Sequence, residues 1–183
     1  KELLHRHGLK SSFTGGLSSY GLTLLVAHYL LNARVLRIAR RRQQQEATDN
    51  SPLLAEPESV HFSELLFECL HFYGHVLRPE VHALVWGQHA TGAPRGIIVH
   101  RNQPACAPAS MDPLLVADPV DAMNNVTKGC YRVRQIQRVF VAAAESLRKA
   151  TFEALQCAIA GEPPKASELL SSLFEGAPSG ASG

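Results

Sequence analysis

Two short segments carry the side chains that could do chemistry. The first, Thr14-Gly-Gly-Leu-Ser-Ser-Tyr20, breaks the chain with two glycines and then offers two serines and a tyrosine. An apolar run from Leu22 to Leu31 follows, so one of the serines caps a helix start. A hydroxyl at a helix N-terminus sits beside free backbone N–H groups, and that pairing suits a phosphate. The second segment, Asp118 to Tyr131, holds two carboxylates, two adjacent amides and a glycine between a short apolar run and a long helical pattern. Asp118 and Asp121 can accept hydrogen bonds. Asn124 and Asn125 can donate and accept at once. Such a loop can present polar groups to a flat ligand. The same composition also suits a plain strand-to-helix turn, so composition alone leaves both readings open.

The elements that must position these groups are mostly helical. Residues 1–9 read as the end of a helix, with Gly8 near its stop. Ser18 or Ser19 starts a long helix running to about Arg42, with Leu22, Leu25, Val26, Tyr29 and Leu30 on one face. Its basic end, Arg34 to Arg42, suits a helix C-terminus on a solvated face, or contact with RNA phosphates or a partner. Residues 43–59 are polar, contain Pro52 and Pro57, and read as a flexible insertion. A second helix is expected from about His61 to Val76. Val81–Trp86 and Gly96–His100 suggest a short hairpin. After a Pro/Ala loop comes a short strand at Leu114–Val116, then a helix from about Tyr131 to Ile159. Pro163 and Pro164 end it. Residues 167–174 read as a last short helix and 176–183 as a disordered end. The fold class is therefore mainly α with a small β component (α+β). One helical domain spans 1–160, with a C-terminal tail over 161–183.

Composition narrows the classes. With 183 residues, 45% of them hydrophobic, the chain can bury a substantial core in one domain. A formal charge of +2 permits a polyanionic partner without requiring one. The four cysteines are far apart and form no Cys-x-x-Cys, which argues against a zinc site or a disulfide framework. The run Leu22–Leu31 is too short to span a bilayer, so no membrane partner is expected. His71 and His75 have the four-residue spacing that can hold zinc on a helix, but no third ligand is apparent. Satisfied histidines are the simpler account. No Gly-x-Ser-x-Gly or P-loop pattern occurs. The chain opens on Lys1 in mid-helix without an initiator Met, and is expected to be a piece of a longer protein.

Taken together and in order, the two segments resemble the template-independent RNA nucleotidyltransferases of the DNA polymerase beta superfamily. The similarity is greatest to the nuclear poly(A) polymerases of the TRAMP complex, the topoisomerase-related-function or DNA polymerase sigma family. There the first pattern reads Thr-Gly-Gly-aliphatic-small-Ser-Tyr before a helix, as Thr14 to Tyr20 does. The second reads Asp-Pro, then Asn-Asn or Asn-Asp and an aliphatic residue, then a basic residue, Gly, and a helix with Arg and Phe. Asp118 to Phe140 matches it, including Lys128, Gly129, Arg134, Ile136 and Phe140. The resemblance covers roughly residues 1–155.

It implies the central and PAP-associated region of a polymerase that adds AMP from ATP to RNA 3′ ends. Ser19 resembles the serine that meets the triphosphate, unless it is only an N-cap. Tyr20 resembles the tyrosine that stacks on the incoming base, unless it is an ordinary core aromatic. Lys1 matches a phosphate-contacting lysine. His5 stands where related uridylyltransferases carry a second one. Asp118, Asp121, Asn124 and Asn125 would form the base-recognition loop, with Asn125 holding the loop through its backbone. Asn124 stands where uridylyltransferases carry a histidine, which points to ATP. Lys128 and Arg134 could reach phosphates or be solvated.

In that superfamily two Mg²⁺ or Mn²⁺ ions are held by an Asp-x-Asp pair and a third Asp. This chain has no Asp-x-Asp, so the catalytic palm is expected upstream, with no catalytic or metal-ligating residue here. The fragment alone is then expected to be inactive. A zinc-knuckle RNA-binding protein, an RNA helicase and a nuclear location are implied by the resemblance only, with the cytoplasm as the other compartment. A terminal uridylyltransferase, or an inactive homologue serving as an RNA-binding scaffold, are the competing functions. An unrelated helical domain is the blander one, and it would leave the two segments far apart.

Overall fold

The computed structural model describes residues 1–32, 62–88, 90, 92–102 and 112–160. The expected basic helix end, the 43–59 insertion, most of the Pro/Ala loop and the 161–183 tail lie outside these residues. The described part is mainly helical, with one two-stranded antiparallel sheet. Helix α1 spans Glu2–Arg6, and a 3₁₀ turn follows at Ser12–Thr14. Helix α2 is the helical stretch 19–32. Helix α3 covers Phe62–His71 and runs into a π-helical turn, Phe72–Val76. Strands β1 (His82–Gln88) and β2 (Pro94–His100) make the hairpin, and α4 runs from Val133 to Ala160.

The hairpin is longer than its apolar pattern indicated. Backbone pairing runs from His82 opposite His100 to Gln88 opposite Pro94, because a ladder can continue through polar and glycine positions. The expected third strand is a short parallel bridge on the other edge of β1. Leu84 N–H donates to Leu115 O at 3.0 Å, and Ala117 N–H donates to Leu84 O at 2.9 Å. Leu84 and Val116 are fully buried there.

Helix α4 supplies one wall of the core. Val133, Ile136, Phe140, Ala143, Ala144, Leu147 and Ala150 are buried at helical spacing. They pack with Leu70, Tyr73 and Leu77 from the α3 side and Leu24 and Leu25 from α2. The π-helical turn was not expected. Leu77 N–H reaches Phe72 O at 2.8 Å, one residue beyond the α-helical partner. Buried Gln137 on α4 donates from Nε2 to Leu77 O at 3.0 Å and to Tyr73 O at 3.3 Å. These bonds satisfy carbonyls where the helix pattern is interrupted. The Tyr73 hydroxyl donates to Leu25 O at 2.7 Å, linking the turn to α2.

Helix α2 is turned relative to its expected face. Leu24, Leu25 and His28 are buried, while Val26 and Leu30 are about two-fifths exposed. The run 22–31 is apolar nearly all round, so periodicity fixes no phase. The side facing the hairpin is the one that becomes buried.

Two glycines set the path into α2. Gly15 has φ +77, and a Cβ there would lie 2.3 Å from the Tyr131 ring. At Gly16 a Cβ would lie 2.2 Å from Leu9 O. That approach is locked because Leu17 N–H donates to the same oxygen at 2.8 Å. Gly16→Ala should therefore destabilise the fold by roughly 1–3 kcal/mol, as overpacking does. A lower urea midpoint is the expected reading, and an unchanged one would contradict this account of the turn.

Candidate nucleotide-recognition site

The two segments that the sequence singled out lie side by side. Tyr131 packs on Gly15, Arg132 N–H donates to Gly15 O at 2.9 Å, and Arg132 Nη1 donates to Gly8 O at 3.1 Å. The Tyr20 hydroxyl donates to Asp118 Oδ1 at 3.2 Å across 98 positions of chain. The two segments are therefore not far apart in the fold.

Asp118 is the centre of the cluster. Its Oδ1 also accepts from Val120 N–H at 2.9 Å, and its Oδ2 accepts from Asn124 Nδ2 at 3.1 Å. Asp121 repeats the local turn, with Oδ1 accepting from Met123 N–H at 3.0 Å. Each aspartate thus folds the backbone two residues ahead of it, the Asx geometry this residue type favours. Asp118 N–H donates to Asn124 O at 3.0 Å and closes the loop. The Val120 N–H, then Asn124, Tyr20 and the Asp121 N–H, hold the Asp118 carboxyl below the usual carboxylate range. Desolvation opposes them. Its stabilising effect is present above the ordinary carboxylate pKa and is lost only as pH falls through the depressed value. Asp118 is therefore an anion throughout the neutral range. In turn, partial desolvation and then the Asp118 charge push the Tyr20 hydroxyl up from 10.0.

The two asparagines have different roles. Asn125 Oδ1 accepts from Val116 N–H at 3.0 Å and Thr127 N–H at 3.1 Å, and Thr127 Oγ1 lies 2.8 Å away. Its Nδ2 donates to Leu114 O and Asp112 Oδ2, both at 3.0 Å. That amide is occupied in holding the loop and has nothing left for a ligand. Asn124 is exposed. Its NH₂ must face the acceptor-only Asp118 carboxylate, so its Oδ1 is turned elsewhere and makes no hydrogen bond to the described residues.

Ser18, not Ser19, caps α2, with Oγ accepting from Gly21 N–H at 3.0 Å. The Ser19 hydroxyl is exposed in the first turn and has no partner among the described residues. Lys1 does not join the cluster. It borders an apolar groove lined by Leu22, Leu25, Leu66 and Phe140 from three helices. Lys128 is exposed, and Arg134 forms an ion pair with Glu80 at 3.2 Å. His71 and His75 are exposed, with ring centroids 4.9 Å apart. Among the described residues no group of three or more His, Cys, Asp or Glu could hold a metal ion, so these residues do not build a two-metal centre. Nor is any described helix long and apolar enough to cross a membrane.

Three residues of this region escaped the sequence reading. Tyr131 sits on Gly15, Trp86 donates from its indole to Ala117 O at 2.7 Å, and His28 is wholly buried beside Trp86. A lone tryptophan in a strand signals a need for an N–H acceptor. The position of His28, three and four residues after Leu25 and Leu24, signals burial once the helix phase is known.

The architecture is mainly α with a two-stranded antiparallel sheet. It is similar to a solved structure of the polymerase core of TRAMP, an RNA surveillance complex, with a TM-score of 0.60 and 23% identity. The match covers 83% of this chain and 42% of that one, so the chain spans less than half of that neighbour. No protein-family model and no curated protein matches the chain.

The cluster makes a spectroscopic prediction. Asp118→Asn removes the charge beside Tyr20 and keeps the shape. The Tyr20 hydroxyl pKa should then fall part of the way back towards 10.0, since desolvation, the larger cause, stays. NMR titration of the tyrosine rings reads this directly. A pKa that does not move would mean that Asp118 does not act on Tyr20.

Proposed function

We propose that this chain is the nucleotide-recognition part of a template-independent RNA nucleotidyltransferase that adds AMP from ATP to RNA 3′ ends. The observation that supports it most is the Tyr20–Asp118–Asn124 cluster. A half-exposed aromatic ring stands beside a loop with an ionised carboxylate and an amide whose oxygen has no partner among the described residues. A ring so placed can stack on any base. The loop beside it offers acceptors, which suit an exocyclic amine. The Ser19 hydroxyl, in the first turn of α2 and without a partner among the described residues, would take the triphosphate. In this reading Lys1 and Asn125 recede, and Tyr20, Asp118, Asp121, Asn124 and Ser19 carry recognition.

The similarity to a TRAMP polymerase core favours a role in RNA surveillance. RNA is then the second substrate. A zinc-knuckle RNA-binding protein and a helicase are the proposed partners, and the nucleus is the proposed location. Transfer would need Mg²⁺ or Mn²⁺ ions held by carboxylates outside the described residues. Those ions would supply charge neutralisation at the transferred phosphate. The residues here would orient the base and exclude wrong ones.

The test uses the full-length protein that contains this chain, with oligo(A) RNA, Mg²⁺ or Mn²⁺, and each nucleoside triphosphate in turn. Extension should occur mainly with ATP. Tyr20→Ala should raise KM for ATP about five- to hundredfold, the loss of a stacking contact of roughly 1–3 kcal/mol. Asn124→His should shift preference towards UTP. Extension mainly with UTP by the unaltered protein would make it a uridylyltransferase. No extension with any nucleotide, with metal-binding carboxylates intact and an RNA-binding partner supplied, would favour a binding scaffold.

A further inference from the structure

We propose that Trp86, backed by His28, is a positioning residue that fixes the peptide unit carrying Asp118 and so sets its carboxylate against Tyr20. The purpose of that positioning rests on the nucleotide reading above, but the mechanical claim does not.

The peptide unit between Ala117 and Asp118 is held at both ends. Its carbonyl accepts from the Trp86 indole at 2.7 Å, and its N–H donates to Asn124 O at 3.0 Å. Ala117 is pinned from the other side by its own N–H on Leu84 O at 2.9 Å. With the indole in place this peptide cannot swing without breaking a hydrogen bond. The direction of the Asp118 side chain follows from it. Remove the indole N–H, and the carbonyl loses that side-chain donor, leaving the plane held only from its N–H side.

His28 holds the indole. It is on α2, about two turns after Tyr20, and is completely buried. Its ring meets Trp86 edge-on, with centroids 5.6 Å apart and planes at 79°. Nε2 lies 3.1 Å from Ile97 O, so Nε2 carries the proton and donates. Nδ1 has no hydrogen-bond partner among the described residues. The imidazole is tied to the hairpin through Ile97 O and its edge contact with Trp86. The hairpin is shaped to admit it. Gly96 lies opposite Trp86 in the strand register. A Cβ at Gly96 would stand 2.7 Å from His28 O and 2.8 Å from the imidazole ring. Burial also lowers the His28 pKa, which keeps the ring neutral in its slot.

Helix α2 therefore reaches Asp118 twice. The Tyr20 hydroxyl meets its carboxylate directly, and His28 acts through Trp86 on its backbone. The helix that carries the base-stacking ring thus also braces the loop that carries the carboxylate, which sets their relative height before a ligand arrives.

The test uses this 183-residue chain with Trp86→Phe, which keeps a ring and removes the N–H. Amide hydrogen exchange at Asp118 and Asn124 should quicken about three- to tenfold, the size of one lost hydrogen bond. Core amides of α4 such as Ile136 should keep their protection. His28→Leu should change the loop in the same direction. Unchanged exchange at Asp118 and Asn124 would overturn the proposal, and so would a uniform rise across α4, which marks general destabilisation. An ATP titration of the same proteins separates the two claims. If the unaltered chain binds ATP, Trp86→Phe should weaken binding by a similar three- to tenfold, and equal binding would count against the positioning role. If the unaltered chain binds no ATP, the nucleotide reading fails, and the exchange data alone decide what Trp86 does.

Discussion

The side chain of Asn125 is the constraint on which the loop depends. One amide joins the backbone before the loop, at Leu114 and Val116, to the backbone after it, at Thr127. Between those anchors residues 119–124 are exposed, and Val120 and Met123 face solvent rather than a core, so the segment has no hydrophobic reason to adopt one shape. The amide provides the reason instead. A carboxylate at position 125 could accept but not donate, and would lose the bond to Leu114 O and face the Asp112 carboxylate with like charge. A hydroxyl could not reach both strands. With the anchors fixed, Asp118 and Asp121 need only fold their own neighbours, which short acidic side chains do well. Local turn chemistry then finishes what one half-buried amide begins.

The loop is held from outside as well, and the supports come from elements far apart in sequence. Helix α2 supplies Tyr20, β1 supplies Trp86, and the start of α4 places Tyr131 on Gly15. Each support is a polar or aromatic contact at the surface of the same apolar core. The core of Leu84, Val116, Ile136 and Phe140 holds the elements together, and the surface contacts set their register. This division explains how a segment as exposed as 118–124 can still have a defined carboxylate direction. Rigidity is borrowed from the elements beneath it rather than generated within it.

Much of this was legible in the sequence, and the parts that were not share a cause. The helices at 62–76 and 131–159 announced themselves because apolar and polar residues alternate at helical spacing. The hairpin was visible for similar reasons, though its ends were not, since Gln88 and Pro94 carry no strand signal. The separate duty of Asn125 was anticipated. The phase of α2 was not, because a run that is apolar all round looks the same from every side. His28 and Trp86 were missed with it, as their importance depends on which face of α2 meets the hairpin. Lys1 was matched by resemblance to a phosphate-contacting lysine, and it borders an apolar groove. Contacts that join two elements are invisible until both are oriented.

The π-helical turn at Phe72–Val76 has a consequence for how this chain is compared with others. It holds one more residue than an α-helical turn would, and Gln137 on α4 is the side chain that makes the extra residue tolerable. A related chain with an unbroken helix here would have one residue fewer between α3 and β1. Matched by helical periodicity alone, the two sequences would slide out of phase from Leu77 onward, and every strand position would be assigned to the wrong face of the sheet. The correct gap falls inside a helix, where alignments rarely place one, and an amide opposite it on α4 is the mark to look for.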